Sequence, residues 1–236
     1  MLSEEERISL RDQDFHGVDV EFSRRSRIAV ADRTRFAGCR ISLQPQGLPA
    51  FRFGSRFHIT RSVLEDSTIT ATGKVLGLKL TYDVKVHRCR FVGGPFVAAR
   101  FGPEHAPFPD EPSIVECDFS AADLRDAWFY QTPQETLTLP AWPYITVVAQ
   151  ENGTVFAPPS QRHPALTALF DAASDFPWGD LALQRAVEAL VSTVGVRPEN
   201  ASVQVCHADD IAKRVAGSAA RLRTALEKFA HPAIRF

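Results

Sequence analysis

The 236-residue chain lacks the segments that carry a protein into or across a membrane. Residues 1–6 read MLSEEE, whereas a secretory signal begins with basic residues and continues into an apolar run. No stretch approaches the roughly 18 consecutive apolar residues of a membrane-spanning helix. We therefore expect a cytoplasmic protein with no membrane partner.

Signatures of catalysis and metal binding are also missing. The sequence has no GxSxG nucleophile elbow, no P-loop, no dinucleotide-binding glycine pattern and no HExxH motif. Its four cysteines form no CxxC pair, and its seven histidines show no convincing ligand spacing. These absences predict buried, reduced thiols with no cofactor and no metal site, and they favour a binding protein over an enzyme.

The charge is nearly balanced overall but unevenly distributed along the chain. The 27 Lys and Arg against 28 Asp and Glu leave a net charge of −1, which makes nucleic acid an unlikely partner. Residues 36–101, however, carry ten basic and three acidic side chains, and residues 102–160 carry one basic and nine acidic. With 44% hydrophobic residues, the chain can also bury a substantial core.

A weak internal repeat runs through the first half of the chain. An apolar residue is followed three positions later by Cys or Ser, and two further on by another apolar residue. Such spacing places the small residue and the second apolar residue on one face of a strand. The small residues are 22 to 28 positions apart, which suits one coil of stacked strands with loops of variable length. The four copies are Phe36/Cys39/Ile41, Leu64/Ser67/Ile69, Val86/Cys89/Phe91 and Ile114/Cys117/Phe119.

The repeat becomes sharper over residues 117–131. Three successive segments, CDFSA, ADLRD and AWFYQ, each place a small residue two positions before a central Phe or Leu. This pattern resembles the pentapeptide-repeat family, and the resemblance implies a mainly β fold in which a right-handed parallel β-helix turns these residues inward. A β-sandwich built from the same short strands, followed by helices, is the alternative.

Residues 160–236 have a different character. Three amphipathic stripes predict helices. The Pro158-Pro159 pair places a domain boundary between a β-helix domain, residues 1–159, and a helical segment, residues 160–236. These helices could cap the open end of the β-helix or form a separate module. The stripes contain Leu166, Leu169, Phe170 and Ala173; then Leu183, Val187, Leu190, Val191 and Val194; then Ile211, Val215, Leu222, Leu226 and Phe229.

Stacking of the four repeat copies would also align their outward side chains. Arg40, Thr68, Arg90 and Asp118 would then form one exterior column, with Arg90 facing Asp118 and Arg88 facing Glu116. Charges left without a partner would form a docking face, to which Lys74, Lys79 and Lys85 could also belong. The candidate partner-binding residues are Arg52, Arg56, Arg61, Arg88, Arg90, Glu104, Asp110, Glu111 and Asp118.

These features predict a non-enzymatic protein that binds another protein on a rigid platform. The family resemblance adds the expectation of an immunity-like or inhibitory role in a bacterial cell. One alternative is a carbohydrate-active enzyme, in which Asp118, Asp123 and a loop acid would have to converge. A self-associating structural protein, a homo-oligomer, is the other alternative.

Overall fold

The structure is a computed structural model that describes residues 8–22, 28–44, 56–103, 112–148, 164–195, 201–214 and 217–236. It is mainly β, with helices confined to the last third of the chain. The chain divides into two compact units, Met1–Pro140 and Ala141–Phe236. The sequence placed the boundary later, at Pro158-Pro159, which lies outside the described residues.

Short strands fill the first unit, because alternating apolar and polar residues occur in short runs between turns. All but two of its described strands, which have eight and nine residues, are two to five residues long. The described strands are β1 (Ile8–Arg11), β2 (Asp14–His16), β3 (Asp19–Phe22), β4 (Ile28–Asp32), β5 (Arg35–Ala37), β6 (Arg40–Leu43), β7 (Arg56–Thr60), β8 (Val63–Glu65), β9 (Thr68–Ala71), β10 (Val75–Leu76), β11 (Lys79–Tyr82), β12 (Lys85–His87), β13 (Arg90–Val97), β14 (Arg100–Phe101), β15 (Ile114–Val115), β16 (Cys117–Arg125), β17 (Ala127–Tyr130) and β18 (Leu137–Thr138).

The strands of this unit form three parallel sheets, A, B and C, which the chain visits in that order from β1 to β17. We call one such pass a coil. Sheet A runs β1-β4-β7-β11-β14-β17, sheet B runs β2-β5-β8-β12-β15, and sheet C runs β3-β6-β9-β13-β16-β18. β10 pairs with the end of β13, and the end of β13 pairs with the end of β16, which adds a fourth, shorter set of pairings. All described pairings within this unit are parallel, whereas a β-sandwich is built from antiparallel sheets.

Left-handed backbone marks the turns between the sheets. Asp12, Arg33, Arg61 and Asp83 occupy this conformation between sheets A and B, with φ between 45° and 53°. Gly17, Gly38, Asp66, Arg88 and Glu116 do so between sheets B and C, with φ between 49° and 63°. The backbone N–H of such a residue donates to a carbonyl of the next coil, as from Asp66 to His87 at 3.1 Å and from Arg88 to Val115 at 3.0 Å. The turns are therefore part of the stacking between coils.

Apolar residues from successive coils stack in columns inside the unit. In sheet B, Phe36 pairs with Leu64, Leu64 with Val86 and Val86 with Ile114, and all four side chains are fully buried. The first apolar residues of the four sequence copies are therefore paired in register on adjacent parallel strands.

The later coils concentrate aromatic rings in this interior. Phe91 and Phe119 are stacked with ring centroids 4.4 Å apart, and Phe101 and Phe129 are stacked at 4.8 Å. The two stacks meet edge to face, since Phe101 and Phe119 lie 5.1 Å apart at an interplanar angle of 72°.

The second unit packs helices on an antiparallel sheet. Its elements are β19 (Tyr144–Val148), α1 (Pro164–Asp175), α2 (Leu181–Gly195), β20 (Ala201–His207), α3 (Ala208–Arg214), α4 (Ala219–Phe229) and β21 (Ile234–Arg235). β19 pairs with β20 and with β21, so the strand that the sequence assigned to the first domain belongs to the second unit. The core contains Leu169, Val187, Leu190, Leu226 and Trp178.

The third amphipathic stripe forms two helices instead of the single one expected. α3 ends at Arg214, and Ser218 caps the start of α4, where its hydroxyl accepts a hydrogen bond from the Arg221 N–H at 3.3 Å. The ring Nδ1 of His207 accepts from the Asp209 N–H at the start of α3.

Candidate functional site

The exterior column expected on sheet C is present in the structure. Arg40 pairs in register with Thr68, Thr68 with Arg90, and Arg90 with Asp118. The column begins one coil earlier at Asp19, whose carboxylate lies 2.7 Å from Nε of Arg40. Five side chains, of which all but Thr68 are charged, therefore stand at the regular spacing of neighbouring parallel strands, about 4.8 Å.

A second row of charges runs beside this column, at the turn between sheets B and C. Asp66 and Arg88 follow each other in adjacent coils at left-handed positions, and Glu116 continues the row. Nε of Arg88 donates to Asp66 at 2.7 Å and its NH2 group donates to the other carboxylate oxygen at 2.9 Å. We call the two rows together the charged strip: Asp19, Arg40, Asp66, Arg88, Arg90, Glu116 and Asp118.

Hydrogen bonds favour the ionised form of two carboxylates of the strip, Asp66 and Asp118. The hydrogen bond from Arg88 holds the pKa of Asp66 below its usual value, and the Asp66 carboxylate raises the pKa of Arg88 in turn. Hydrogen bonds from Ser120, whose N–H lies 2.8 Å from the carboxylate, and the charge of Arg90 likewise lower the pKa of Asp118. A general acid requires a raised pKa, so Asp118 lacks the property that a glycosidase acid needs.

Asp123, the other carboxylate of the carbohydrate hypothesis, is engaged by its own neighbour. Its oxygens accept from Nε of Arg125 at 3.0 and 3.2 Å. Asp110 and Glu111, the proposed loop acids, lie outside the described residues. Both described acids of this hypothesis, Asp118 and Asp123, thus accept hydrogen bonds from other residues of the unit.

Two ionic expectations were wrong. Arg88 bonds Asp66, not Glu116, although Glu116 is close enough to add to the rise in the pKa of Arg88. Arg61, expected to lack a partner, donates to both oxygens of Asp32 at 2.9 and 2.6 Å. Stacking order predicts which residues are neighbours, but a guanidinium between two acids can face either of them.

The candidate partner-binding residues fall into three groups. Arg88, Arg90 and Asp118 come together on the charged strip, with Arg90 and Asp118 3.4 Å apart as expected. Arg61 lies at the turn between sheets A and B, and Arg56 is the first residue of β7. Arg52, Glu104, Asp110 and Glu111 lie outside the described residues.

The lysines proposed for the docking face do not share one side of the unit. Lys79 belongs to β11 of sheet A, Lys85 belongs to β12 of sheet B, and Lys74 precedes β10. They are within one coil, so the coil distributes their charges around its perimeter.

A second set of small polar residues, which the sequence interpretation missed, repeats at the turns. At several turns a buried Ser, Thr or Cys follows the left-handed residue, and its side chain donates to the carbonyl two residues earlier: Ser67 to Glu65 at 2.7 Å and Ser62 to Thr60 at 2.7 Å. Thr34, Ser62 and Thr132 hold this position after sheet A, as Cys39, Ser67, Cys89 and Cys117 do after sheet B. The sequence signal for these buried turn residues was the recurrence of Ser or Thr at Thr34 and Ser62, which lie one coil apart.

Three of the four cysteines, Cys39, Cys89 and Cys117, occupy this position, whereas Cys206 lies in β20. All four are free and buried, as predicted. Burial raises the pKa of the Cys89 thiol to about 12 and that of the Cys117 thiol to about 11, so both stay protonated near neutral pH. Among the described residues no group of three His, Cys, Asp or Glu side chains could hold a metal ion.

Comparisons of the chain with protein-family models, with curated proteins and with solved structures found no match. Within the described part of the chain, no helix is both long enough and apolar enough to cross a membrane.

Proposed function

We propose that the first unit is a right-handed parallel β-helix of the pentapeptide-repeat kind. The constant order of sheets A, B and C supports this, as does the recurrence of left-handed residues and small buried residues at each turn. The fourth set of pairings, through Val75, Phe96 and Leu124, supports a coil with four sides. The right hand follows from the general preference of parallel crossover connections.

On this scaffold we propose a non-enzymatic protein that binds another protein through the charged strip. The observation that carries the proposal is that Arg88, Arg90, Asp66 and Asp118 stand together, with side chains 37% to 57% exposed, in positions fixed by strand register. The hydrogen bonds from Arg88 to Asp66 and the ion pair of Arg90 with Asp118 orient these side chains before a partner arrives, which reduces the ordering cost of binding.

The strip contains both signs of charge, so it suits a protein surface that presents acidic and basic groups in a complementary order. Such a pattern contributes more to partner choice and association rate than to affinity. An immunity-like or inhibitory role, in which the bound partner is neutralised, is the form of this function that we propose.

The test is the double substitution Arg88→Glu and Arg90→Glu, which reverses two charges of the strip. Analytical ultracentrifugation of the purified protein first shows whether a second copy is the partner. Purification from the native host at low and high salt then shows whether a different protein binds stoichiometrically, and hydroxyl-radical footprinting maps where. We expect a stoichiometric, salt-sensitive heteromeric complex that protects the strip, and its loss in the double variant.

The matched control is Arg33→Glu. Arg33 holds the same left-handed turn position between sheets A and B, is 50% exposed, and donates to both oxygens of Asp12 as Arg88 does to Asp66. If Arg33→Glu abolished the complex to the same extent, the loss would be due to disruption of the scaffold. That result would overturn the assignment of the charged strip as the binding surface. Recovery of no stoichiometric partner, or of only a homo-oligomer, would overturn the function.

A further inference from the structure

The second unit contains a small cavity between α2, α3 and α4. Its volume is about 190 Å³. Ala186, Ile211 and Leu222 supply an apolar wall, and all three are buried. Arg185, Arg221 and Ser218 supply the polar part of the lining. The cavity therefore joins an apolar wall to two exposed arginines from different helices.

Neither of these arginines makes an ion pair with a described residue. The acids on the same helices bond elsewhere: Glu188 accepts from Gln184 at 2.8 Å, and Glu227 accepts from Arg223 at 2.9 Å. Asp210 of α3 lies 3.4 Å from Lys213. Two like charges thus line one cavity with no acidic side chain among its described lining residues, an arrangement that an anion would stabilise.

We propose that this cavity binds the phosphoryl group of a small phosphorylated molecule. A guanidinium presents planar pairs of N–H donors that match phosphate oxygens, and two of them can hold a doubly charged group. The Ser218 oxygen already accepts from Arg221 N–H, which leaves its hydroxyl hydrogen to donate to the ligand. The volume is below the 300 to 1,000 Å³ or so of drug-sized pockets, so the ligand is a phosphate with few carbon atoms.

This proposal is independent of the protein-binding function, since it rests on other residues in another unit. The test uses the full chain and inorganic phosphate as the probe, with binding measured by isothermal titration calorimetry and by ³¹P NMR. Chloride at matched ionic strength gives the background of nonspecific screening. We expect saturable one-to-one binding of phosphate, weakened at least tenfold by Arg185→Gln or by Arg221→Gln and lost when both are replaced.

The matched control is Arg235→Gln, which removes an exposed arginine of β21 outside the cavity lining. Circular dichroism at 222 nm confirms that each variant keeps its helices. The proposal is overturned if phosphate shows no saturable binding beyond the chloride background. It is equally overturned if the cavity variants bind phosphate as the unaltered protein does, or if Arg235→Gln weakens binding as much as they do.

Discussion

The placement of side chains is determined in different ways in the two units of this chain. In the first unit, parallel strands stack coil on coil, so each side chain is placed by the residue one coil away. In the second unit, helical periodicity selects the buried face, and α1, α2 and α4 enclose a core around Val187, Leu190 and Leu226. Backbone register therefore controls the surface chemistry of the first unit, whereas the second tolerates local adjustment between helices.

Glycine should reveal this difference most strongly. A Cβ added at Gly93 in β13 would overlap the carbonyl oxygen of Ala71 in the preceding coil, at a φ of +77°. Strain and overpacking predict that Gly93→Ala lowers the free energy of unfolding by about 2–5 kcal/mol. Gly179 in the second unit has φ +61° but open space around it, so Gly179→Ala should cost only about 1 kcal/mol.

Urea denaturation of both variants measures these free energies, and hydrogen exchange followed by mass spectrometry locates the loss. We expect the peptides of the first unit to lose protection in Gly93→Ala. Equal costs for the two substitutions would contradict the view that coil register leaves the first unit little room to adjust.

The small polar residues at the turns offer a second, more moderate test. Ser67 is 2% exposed, accepts from the Cys39 N–H at 3.0 Å and donates to the Glu65 carbonyl. Ser67→Ala leaves these buried groups without their partner and should cost about 1–3 kcal/mol in urea denaturation. Ser67→Cys should recover most of the loss, because the neighbouring coils use Cys at this position.

The counterpart in the second unit is Ser218→Ala, which removes an exposed helix cap and should cost about 1 kcal/mol. If Ser67→Cys were as damaging as Ser67→Ala, the shared role of Ser and Cys at these turns would be refuted.

The smallest expected effect is a difference between the two units in how their stability depends on pH. Hydrogen bonds from Arg33, Arg61 and Arg88 lower the pKa of Asp12, Asp32 and Asp66 below 3.8, so their stabilisation of the first unit is present above about pH 4. It is lost as the pH falls through their lower folded-state pKa values.

Burial lowers the pKa of His231 below 6.5, so its ring is neutral in the folded second unit at neutral pH. Its Nδ1 accepts from the Ala233 N–H, which a protonated ring cannot do. Protonation therefore destabilises the second unit as the pH falls below 6.5. We expect the urea midpoint followed at 222 nm to decrease between pH 7 and pH 5, and His231→Gln to flatten that decrease. The exposed His16→Gln variant is the control, and an unchanged slope in His231→Gln would count against this assignment.

Much of the first unit could be predicted from short-range patterns. The spacing of Cys39, Ser67, Cys89 and Cys117 predicted that the residues following them pair in register, and the parallel pairing of Arg40, Thr68, Arg90 and Asp118 agrees with this. The same spacing predicted the contact between Arg90 and Asp118. The partner of Arg88 could not be predicted, because the turn places it between Asp66 and Glu116.

The second unit was predicted less completely. Its apolar stripes identified the helices, but not the break between α3 and α4 or the pairing of β19 with β20. The cavity lined by Arg185 and Arg221 had no sequence signal, because these residues are 36 positions apart and only helix packing brings them together.

The sequence alone determined which side chains point inward, because period-two and helical patterns act over a few residues. The tertiary structure decided which charges meet, where the units divide and where a cavity opens. These depend on how distant segments stack, and the energy of such contacts is absent from any local pattern.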